Sequence, residues 1–352
     1  MLKNTKMKKI LISVIIPMYN ASRFIKQCVK SILKQTYKNF ELLIINDGST
    51  DNSLDICSRF NDQRIKIINQ KNAGCEYARL TGIKQSKGEY ICFVDADDWI
   101  AKDYLEKLIA PAEKYDVDVV CINSYKTLGR YGLIRLKGQQ NSFLKEGLLT
   151  IDALSDFYNI YVYNRVFTNN VWGKLYKATI IDVDSISPAG IFYGEDLLFN
   201  LRVTYNIKSC YLVDEYKYYY RYGGYTIAKY NKYWEDNIRL YYAIKEFALE
   251  NHNRELQNII SYSLISIFHW MIIYLCKFLH LPKSGVRDFI SSVLNSEIYT
   301  EMDTTCNFNP MFLEAIQHKD IDAIMKIVES DVKSNILTYR HKIFRFLFKI
   351  LN

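Results

Sequence analysis

The first third of the chain alternates apolar, β-branched runs with amphipathic stretches of helical period. The apolar runs occupy residues 10–17, 41–47, 64–69, 90–95 and 116–123, and the helical patterns occupy residues 22–35, 74–85 and 102–115. Strands that alternate with helices of this length predict an α/β fold built from βαβ units in a doubly wound sheet. Such sheets bind ligands beyond the carboxyl ends of their strands, and the polar residues of this chain collect there.

The pattern changes beyond residue 123. Residues 126–142 indicate a hairpin or loop excursion, and helical periodicity returns at residues 150–160 and 195–206. From about residue 230 onwards only helical patterns occur, broken near Pro282 and near residues 307–310 and 319–320. We therefore expect two domains, an α/β domain over residues 1–228 and an all-α region over residues 229–352.

Two apolar segments raise the question of a leader or a membrane span. Residues 1–20 place basic residues before an apolar run, but the run is β-branched and ends at Pro17 without a small-residue cleavage site, which favours a buried first strand. Residues 258–280 approach the apolar content of a spanning helix, yet His269 and Lys277 interrupt them. We therefore expect a buried helix of the C-terminal region there.

The chain carries a net charge of +8, and its basic excess is concentrated at the end. Residues 331–352 hold five Lys and Arg, together with His341, against one acid, Asp331. This favours an anionic surface as partner and argues against nucleic acid. Residues 339–352 mix cations with apolar side chains at helical spacing, which fits an interfacial helix on an anionic membrane. The alternative is a terminal helix that packs on the bundle or on a second subunit as a homo-oligomer.

Eight cysteines are scattered singly, without a C-x-x-C pair. This distribution indicates a reducing compartment and excludes a disulfide framework or a zinc site of regular spacing. We therefore expect a cytoplasmic protein, with peripheral attachment to the inner face of the plasma membrane as a further hypothesis.

The acidic stretch YICFVDADDWI, residues 90–100, gives the strongest chemical signal. Asp95 and Asp97 flank Ala96 directly after a buried strand, so an extended backbone turns both carboxylates to the same side. Hard oxygen ligands with coordination positions left over suit Mg²⁺ or Mn²⁺ carrying a phosphate ligand. Asp98 fits equally well as a cap of the next helix.

Two further groups follow the second and third strands. Asp47, at the end of the second strand, can accept hydrogen bonds from a base N–H or a ribose hydroxyl. Asn72 and Gly74 stand at a helix start that can attract an anion, and Arg79 adds a positive fork for a diphosphate. The chain contains neither G-x-G-x-x-G nor a P-loop motif, so a dinucleotide cofactor is not expected.

The ordered motifs of residues 10–225 closely resemble family 2 glycosyltransferases of the GT-A fold. The matching segments are ISVIIP (12–17) with Tyr19, NDGSTDNS (46–53), NAG (72–74), GEYICFVDADDW (88–99), WGKLYK (172–177), YGEDLLFNLR (193–202) and YYYR (218–221). The resemblance implies a nucleotide-diphospho-sugar transferase domain with a Rossmann-like mixed sheet, followed by the helical region.

The resemblance also implies roles for individual residues. Asp47 is similar to the base-recognising Asp, with the Pro17–Tyr19 backbone beside it, and Arg79 is similar to the residue near the diphosphate. Asp95 and Asp97 match the metal-binding D-x-D. Asp196 resembles the general base and Glu195 its catalytic neighbour. Trp172 and Lys174 match sugar-side and loop positions, and Arg221 resembles an Arg that closes on the leaving group.

The chemistry of these residue types fits the mechanism that the resemblance implies. A divalent metal with Arg79 can neutralise the charge of a leaving nucleotide diphosphate, and Asp196 can take the proton of an acceptor hydroxyl. With one base and no covalent nucleophile, direct displacement inverts the anomeric centre. The resemblance further implies a hexosyl- or N-acetylhexosaminyltransferase that uses a UDP-sugar, with other nucleotide diphosphates open, and a cell-surface glycan or lipid-linked acceptor. The alternatives are a metal-dependent phosphotransferase and a non-catalytic subunit that binds sugar nucleotides.

Overall fold

The computed structural model describes residues 9–128, 132–137, 146–149, 169–184, 186, 190–192, 194–205, 207–222, 232–277 and 279–334. The chain divides into two compact units, residues 1–226 with residues 351–352, and residues 227–350. Each unit has its own secondary structure, mixed α/β in the first and helical in the second.

The first unit is built from strands and helices that alternate through its N-terminal half. In chain order, its described elements are β1 (Ile12–Met18), α1 (Ile25–Leu33), β2 (Phe40–Asp47), α2 (Ser53–Ser58), β3 (Ile65–Gln70), α3 (Cys75–Gln85), β4 (Tyr90–Phe93), β5 (Trp99–Ile100), α4 (Tyr104–Tyr115), β6 (Val119–Leu128), β7 (Ile134–Lys137), β8 (Gly147–Leu149), β9 (Lys174–Lys177), α5 (Glu195–Thr204) and β10 (Cys210–Arg221). The α/β class predicted from the sequence is confirmed. The helical pattern at residues 150–160 lies outside the described residues.

One mixed sheet of ten strands forms the centre of the described part of this unit. Eight strands follow the order β3-β2-β1-β4-β9-β6-β10-β5, while β7 pairs with β6 and β8 pairs with β10 beside this path. The pairs β1–β2, β2–β3 and β1–β4 are parallel, as the alternation of strands and helices predicts. The strand β9 then pairs antiparallel with both β4 and β6. The hairpin expected within residues 126–142 forms where β6 pairs antiparallel with β7.

The strand β1 is buried on both faces because a helix covers each side of the sheet. Val14 and Ile16 pack with the apolar side of α1, which includes Ile25 and Val29. Ile15, which points to the other face, packs with residues of α3 and α5. This double cover explains the unbroken apolar run of β1, because a strand of a parallel sheet has no solvent face.

The second unit consists of helices in its described residues. They are α6 (Tyr233–Glu250), α7 (Arg254–Lys277), α8 (Lys283–Leu294), α9 (Pro310–Gln317) and α10 (Ile321–Ser334). The side chains of Leu264, Ile265, Phe268 and Ile272 on α7 are fully buried. Within the described residues, no helix is long and apolar enough to cross a membrane. Residues 339–352 lie outside the described part of the chain.

Candidate active site

The carboxyl ends of β1, β2 and β4 meet at one edge of the sheet. The loops after β1 and β2 are joined by Asn20, whose backbone N–H donates to Ser49 Oγ at 3.1 Å and whose side-chain oxygen accepts from Thr50 N at 2.7 Å. Pro17 is partly buried and Tyr19 is exposed beside this junction. The three loops therefore line one cleft edge, where a doubly wound sheet binds its ligand.

Asp47 is buried and anchors the turn that precedes α3. Its Oδ1 accepts from Gln70 Nε2 at 2.7 Å and from Ala73 N at 2.9 Å, and its Oδ2 accepts from Gly74 N at 2.8 Å. Two backbone N–H groups beside the start of α3, where the sequence suggested an anion site, therefore already have a carboxylate partner. Asn72 is exposed on the same turn.

The acidic residues after β4 form a tight turn, in which Asp98 N donates to Asp95 O at 3.1 Å. Asp95 and Asp97 are partly exposed, whereas Asp98 is buried between them and β10. Burial raises the pKa of Asp98 well above its usual range, and repulsion from Asp97 and Asp95 adds to the rise. The N-cap of α4 is Asp103, so the suggestion that Asp98 caps the next helix is wrong.

Arg79, which is only 4% exposed, brings the acidic turn and the start of α5 together. Its guanidinium lies 3.4 Å from Asp95 Oδ1, 3.7 Å from Glu195 Oε1 and 2.5 Å from Asp196 Oδ1. Among the described residues, the buried Nε of Arg79 has no hydrogen-bond partner. Residues that lie 16 and 117 positions away from Arg79 in the sequence thus share one cation.

The carboxylates around Arg79 are hard to ionise together. Burial raises the pKa of Asp95 to about 7, against the lowering effect of Arg79. Burial and repulsion from Asp196 raise the pKa of Glu195 to about 8, again opposed by Arg79. Groups with strongly shifted pKa values in a cleft are candidates for catalysis, and a further cation here would favour the ionised forms.

The segment that leads into β9 holds Asp196 from the other side. Val171 N donates to Asp196 Oδ2 at 3.3 Å, and the buried Lys174 donates from Nζ to Asn170 O. Burial lowers the pKa of Lys174. The ring of Trp172 is 7% exposed and stacks on Tyr218 with a centroid distance of 4.4 Å. Both predicted residues are thus close to the base candidate, although little of either is open to solvent.

Arg221 does not reach into the cleft from an exposed position. Its side chain is buried, with the guanidinium carbon 4.6 Å from the ring centroids of both Phe24 and Trp99. Its Nε donates to the backbone oxygen of Asp97 at 2.7 Å, and its Nη2 donates to Gln27 Oε1 at 2.8 Å. The structure therefore places Arg221 against the back of the acidic turn.

Sequence reasoning missed two side chains at this site. Tyr218 contacts the acidic turn through its hydroxyl. It is one of four tyrosines in residues 216–220 of β10, and the sequence does not show which of the four faces the turn. Asn200 donates to Asp196 O and to Asn169 O at 2.7 Å each, and accepts from Tyr176. Its place one helical turn after Asp196 was the available signal.

Comparison with known proteins identifies the class to which this fold and site belong. Residues 13–196 match the model of the family described as glycosyl transferase family 2. The chain belongs to this family, and it is a glycosyltransferase with a GT-A type domain followed by a helical region.

Individual relatives cover different shares of the chain. "Uncharacterized glycosyltransferase EpsJ" of Bacillus subtilis is 31% identical over 248 residues, which are 69% of this chain and 70% of EpsJ. "Glycosyltransferase GlyA" of Streptococcus pneumoniae is 35% identical over 207 residues, but the match covers only 30% of GlyA. A crystal structure of S. aureus TarS 1-349 has the same fold, with a TM-score of 0.65 at 21% identity over 92% of both chains.

Proposed function

We propose that the chain transfers a sugar, with inversion, from a UDP-sugar to a hydroxyl of a cell-surface glycan or a lipid-linked acceptor. The observation that carries this proposal is the position of Arg79 between Asp95 of the D-x-D and Asp196. Asp95, which we assign to the sugar donor, and Asp196, which we assign to the acceptor, both contact the guanidinium of Arg79. That arrangement fits a reaction in which a leaving diphosphate and an attacking hydroxyl meet at one carbon.

In this mechanism Asp196 takes the proton of the acceptor hydroxyl as general base. Val171 N–H and Arg79 hold its two oxygens from opposite sides, so its orientation is fixed before the acceptor arrives. Glu195 stands next to it at the first residue of α5, and its raised pKa of about 8 favours a hydrogen-bond donor at neutral pH. With one base and no covalent nucleophile, a single displacement follows.

A divalent ion, Mn²⁺ or Mg²⁺, fits the acidic turn through Asp95 and Asp97. Within the described residues no group of three or more His, Cys, Asp or Glu side chains is arranged to hold a metal by itself. Mg²⁺-type sites commonly use one or two carboxylates and complete their shell with water and substrate phosphates. The two carboxylates would therefore bind the ion together with the donor, and the bound ion would neutralise the charge of the leaving diphosphate.

UDP-sugars are the donors we expect, and UDP-GlcNAc is the first to test. A structure of TarS, which shares the fold, is described in complex with UDP-GlcNAc. In this chain Asp47 Oδ2 accepts one hydrogen bond among the described residues, and a carboxylate oxygen can accept a second from a base N–H. We assign the remaining donor contacts to Pro17, Tyr19, Asn72, Ala96, Trp172 and Lys174, whereas Arg221 supports the acidic turn from behind.

For the helical region, residues 229–352, we propose a role in acceptor binding, oligomerisation or attachment to the cytoplasmic face of a membrane. The basic excess of residues 331–352 supports the membrane role, because anionic lipids attract clustered Lys and Arg. Cosedimentation with vesicles of anionic lipid at low salt, but not with neutral vesicles, is the expected result. Equal recovery from both kinds of vesicle would contradict it.

The transfer itself is tested with a panel of nucleotide sugars, with and without Mn²⁺. We expect one UDP-sugar to stabilise the protein only with Mn²⁺ and to release UDP when an acceptor is present. Asp97→Ala should abolish the shift, and Asp196→Asn should keep the shift but lower kcat by about 10²- to 10⁴-fold. Asp55→Asn, in an exposed ion pair, is the matched control.

Two outcomes would overturn the proposal. If no nucleotide sugar binds or turns over, the donor assignment fails. If UMP rather than UDP is released while the sugar phosphate passes to the acceptor, the metal-dependent phosphotransferase becomes the better description.

A further inference from the structure

The hydroxyl of Tyr218, on β10, contacts two residues of the acidic turn, Asp95 and Asp98. It accepts the backbone N–H of Asp95 at 3.1 Å and lies 2.8 Å from Asp98 Oδ2, to which it donates. Tyr218 itself is fully buried. One hydroxyl therefore joins the first and the last residue of the turn that contains the D-x-D.

Asp98 and Arg221 extend this contact to the rest of the turn. Asp98 Oδ1 accepts the backbone N–H of Arg221 at 2.6 Å, and Arg221 Nε returns a hydrogen bond to Asp97 O at 2.7 Å. Three of the four residues of the turn, Asp95, Asp97 and Asp98, are thus held by the last four residues of β10. Because Asp98 is buried, its carboxylate needs these donors, and removal of one leaves a costly unpaired group.

We propose that Tyr218, with Asp98 and Arg221 as its partners, is a positioning residue that fixes the D-x-D turn for binding of the metal and the donor diphosphate. The inference rests on the proposed function, since it assigns that turn to the donor. Tyr218 touches no reacting atom. It acts by holding the backbone of Asp95, while Arg221 holds that of Asp97, so that the two carboxylates face the cleft without further ordering when the donor arrives.

Tyr218 also connects the donor side to the base side. Its ring stacks on Trp172 at an interplanar angle of 7°, and Trp172 follows Val171, whose N–H donates to Asp196. The same residue therefore contacts the acidic turn by its hydroxyl and the segment that orients the base by its ring. A substitution that keeps the ring and removes the hydroxyl separates these two contacts.

Tyr218→Phe is that substitution, and Tyr219→Phe is its matched control. The ring of Tyr219, the next residue of β10, stacks on Trp99. Its hydroxyl makes no hydrogen bond within the described part of the chain. The measurement is titration of UDP in the presence of Mn²⁺, by calorimetry and by thermal shift. We expect the Kd of UDP to rise about five- to tenfold in Tyr218→Phe and less than about twofold in Tyr219→Phe, because Tyr218→Phe removes both buried hydrogen bonds that hold the turn.

Kinetics distinguish positioning from a general loss of stability. In Tyr218→Phe the KM for the donor and the Mn²⁺ requirement should rise, while kcat recovers at saturating Mn²⁺ and donor. A variant with lowered thermal stability but an unchanged Kd for UDP would overturn the inference. If Tyr218→Phe does not fold, Asp98→Asn replaces it, because an amide cannot accept from both Tyr218 and Arg221 as the carboxylate does.

The outcomes also separate this inference from the proposed function. If the wild type does not bind UDP with Mn²⁺, the proposed function has failed. If the wild type binds and Tyr218→Phe binds equally well, only the positioning role is wrong.

Discussion

Arg79 shows how one buried cation can organise a site that the sequence scatters. It lies within 4 Å of three carboxylates, those of Asp95, Glu195 and Asp196, so one positive charge faces several acids in a confined space. The acids respond by holding protons, because charged carboxylates at this separation repel one another. A titration of the protein without ligand should therefore report on this cluster.

The raised pKa of Glu195 makes the folded protein less stable as the pH rises through neutrality. Burial raises its pKa from 4.5 to about 8, so between these values the folded chain binds a proton that the unfolded chain has released. Stability contributed by this group is present below pH 4.5 and is lost as the pH rises towards 8. Glu195→Gln should flatten the fall in the free energy of unfolding over this range, measured by urea denaturation at several pH values.

The exposed Glu113 provides the control for this experiment. Glu113→Gln should leave the pH dependence of stability as it is in the wild type. An equal slope in the wild type and in Glu195→Gln would show that Glu195 carries no such proton.

At the scale of elements, the end of β2 depends on a close contact with the turn before α3. Gly48 has a φ of +70°, and a Cβ at this position would lie 2.8 Å from Asn72 N. Gly74 also has a positive φ, +99°, but a Cβ there would meet no atom within 4 Å. The two glycines therefore separate backbone strain from a steric clash.

Gly48→Ala should destabilise the protein more than Gly74→Ala, because only its Cβ would collide with backbone. Gly74, at φ +99° and ψ 167°, lies in a region that only glycine adopts readily, so Gly74→Ala should show the cost of backbone strain alone, about 1–3 kcal/mol. The free energy of unfolding of both variants, from denaturant titration, decides the matter. Equal losses would mean that the turn shifts freely and that Asp47 does not hold it in place.

Strands that pair with a strand close in the sequence could be predicted, whereas the place of β9, which pairs with strands far away in the sequence, could not. The strands β1 and β2 are apolar runs buried on both faces, and such a run predicts a buried strand by itself. The edge strand β3 has half-buried isoleucines among exposed polar residues, and its position between two helical patterns indicated it. The strand β9 is only four residues long and takes its place between β4 and β6 through long-range pairing. Periodicity within a short window contains no information about such a partner.

The same limit applies to the site. The D-x-D and the Glu-Asp pair could be found because their residue types are rare at such places. The contact between Arg79 and Asp196 could not, because it depends on how α3 and α5 pack against the sheet. Resemblance supplied the individual residues, and the structure supplied their connection through Arg79 and Tyr218.

At the scale of the whole molecule, each compact unit has apolar side chains enough for a core of its own. Among the described residues, the two clusters of buried side chains that span the sheet are made of residues between Ile12 and Tyr218. A chain of residues 1–228 should therefore unfold cooperatively and bind UDP with Mn²⁺ as the full chain does. Thermal melting and UDP titration of both chains test this, and aggregation of the shorter chain with non-cooperative melting would contradict it.

The place of β9 in the sheet has a consequence for synthesis on the ribosome. When β4 emerges, its open side faces water, because the strand that will cover it ends at Lys177. At about 5–20 residues per second the ribosome needs roughly 4–17 s to add the missing stretch. For that time the nascent chain carries an apolar, unpaired strand edge, the kind of edge on which chains associate wrongly. Slow translation between residues 93 and 177 would prolong this exposure. A chaperone bound to the edge of β4 would prevent association with other chains during that time.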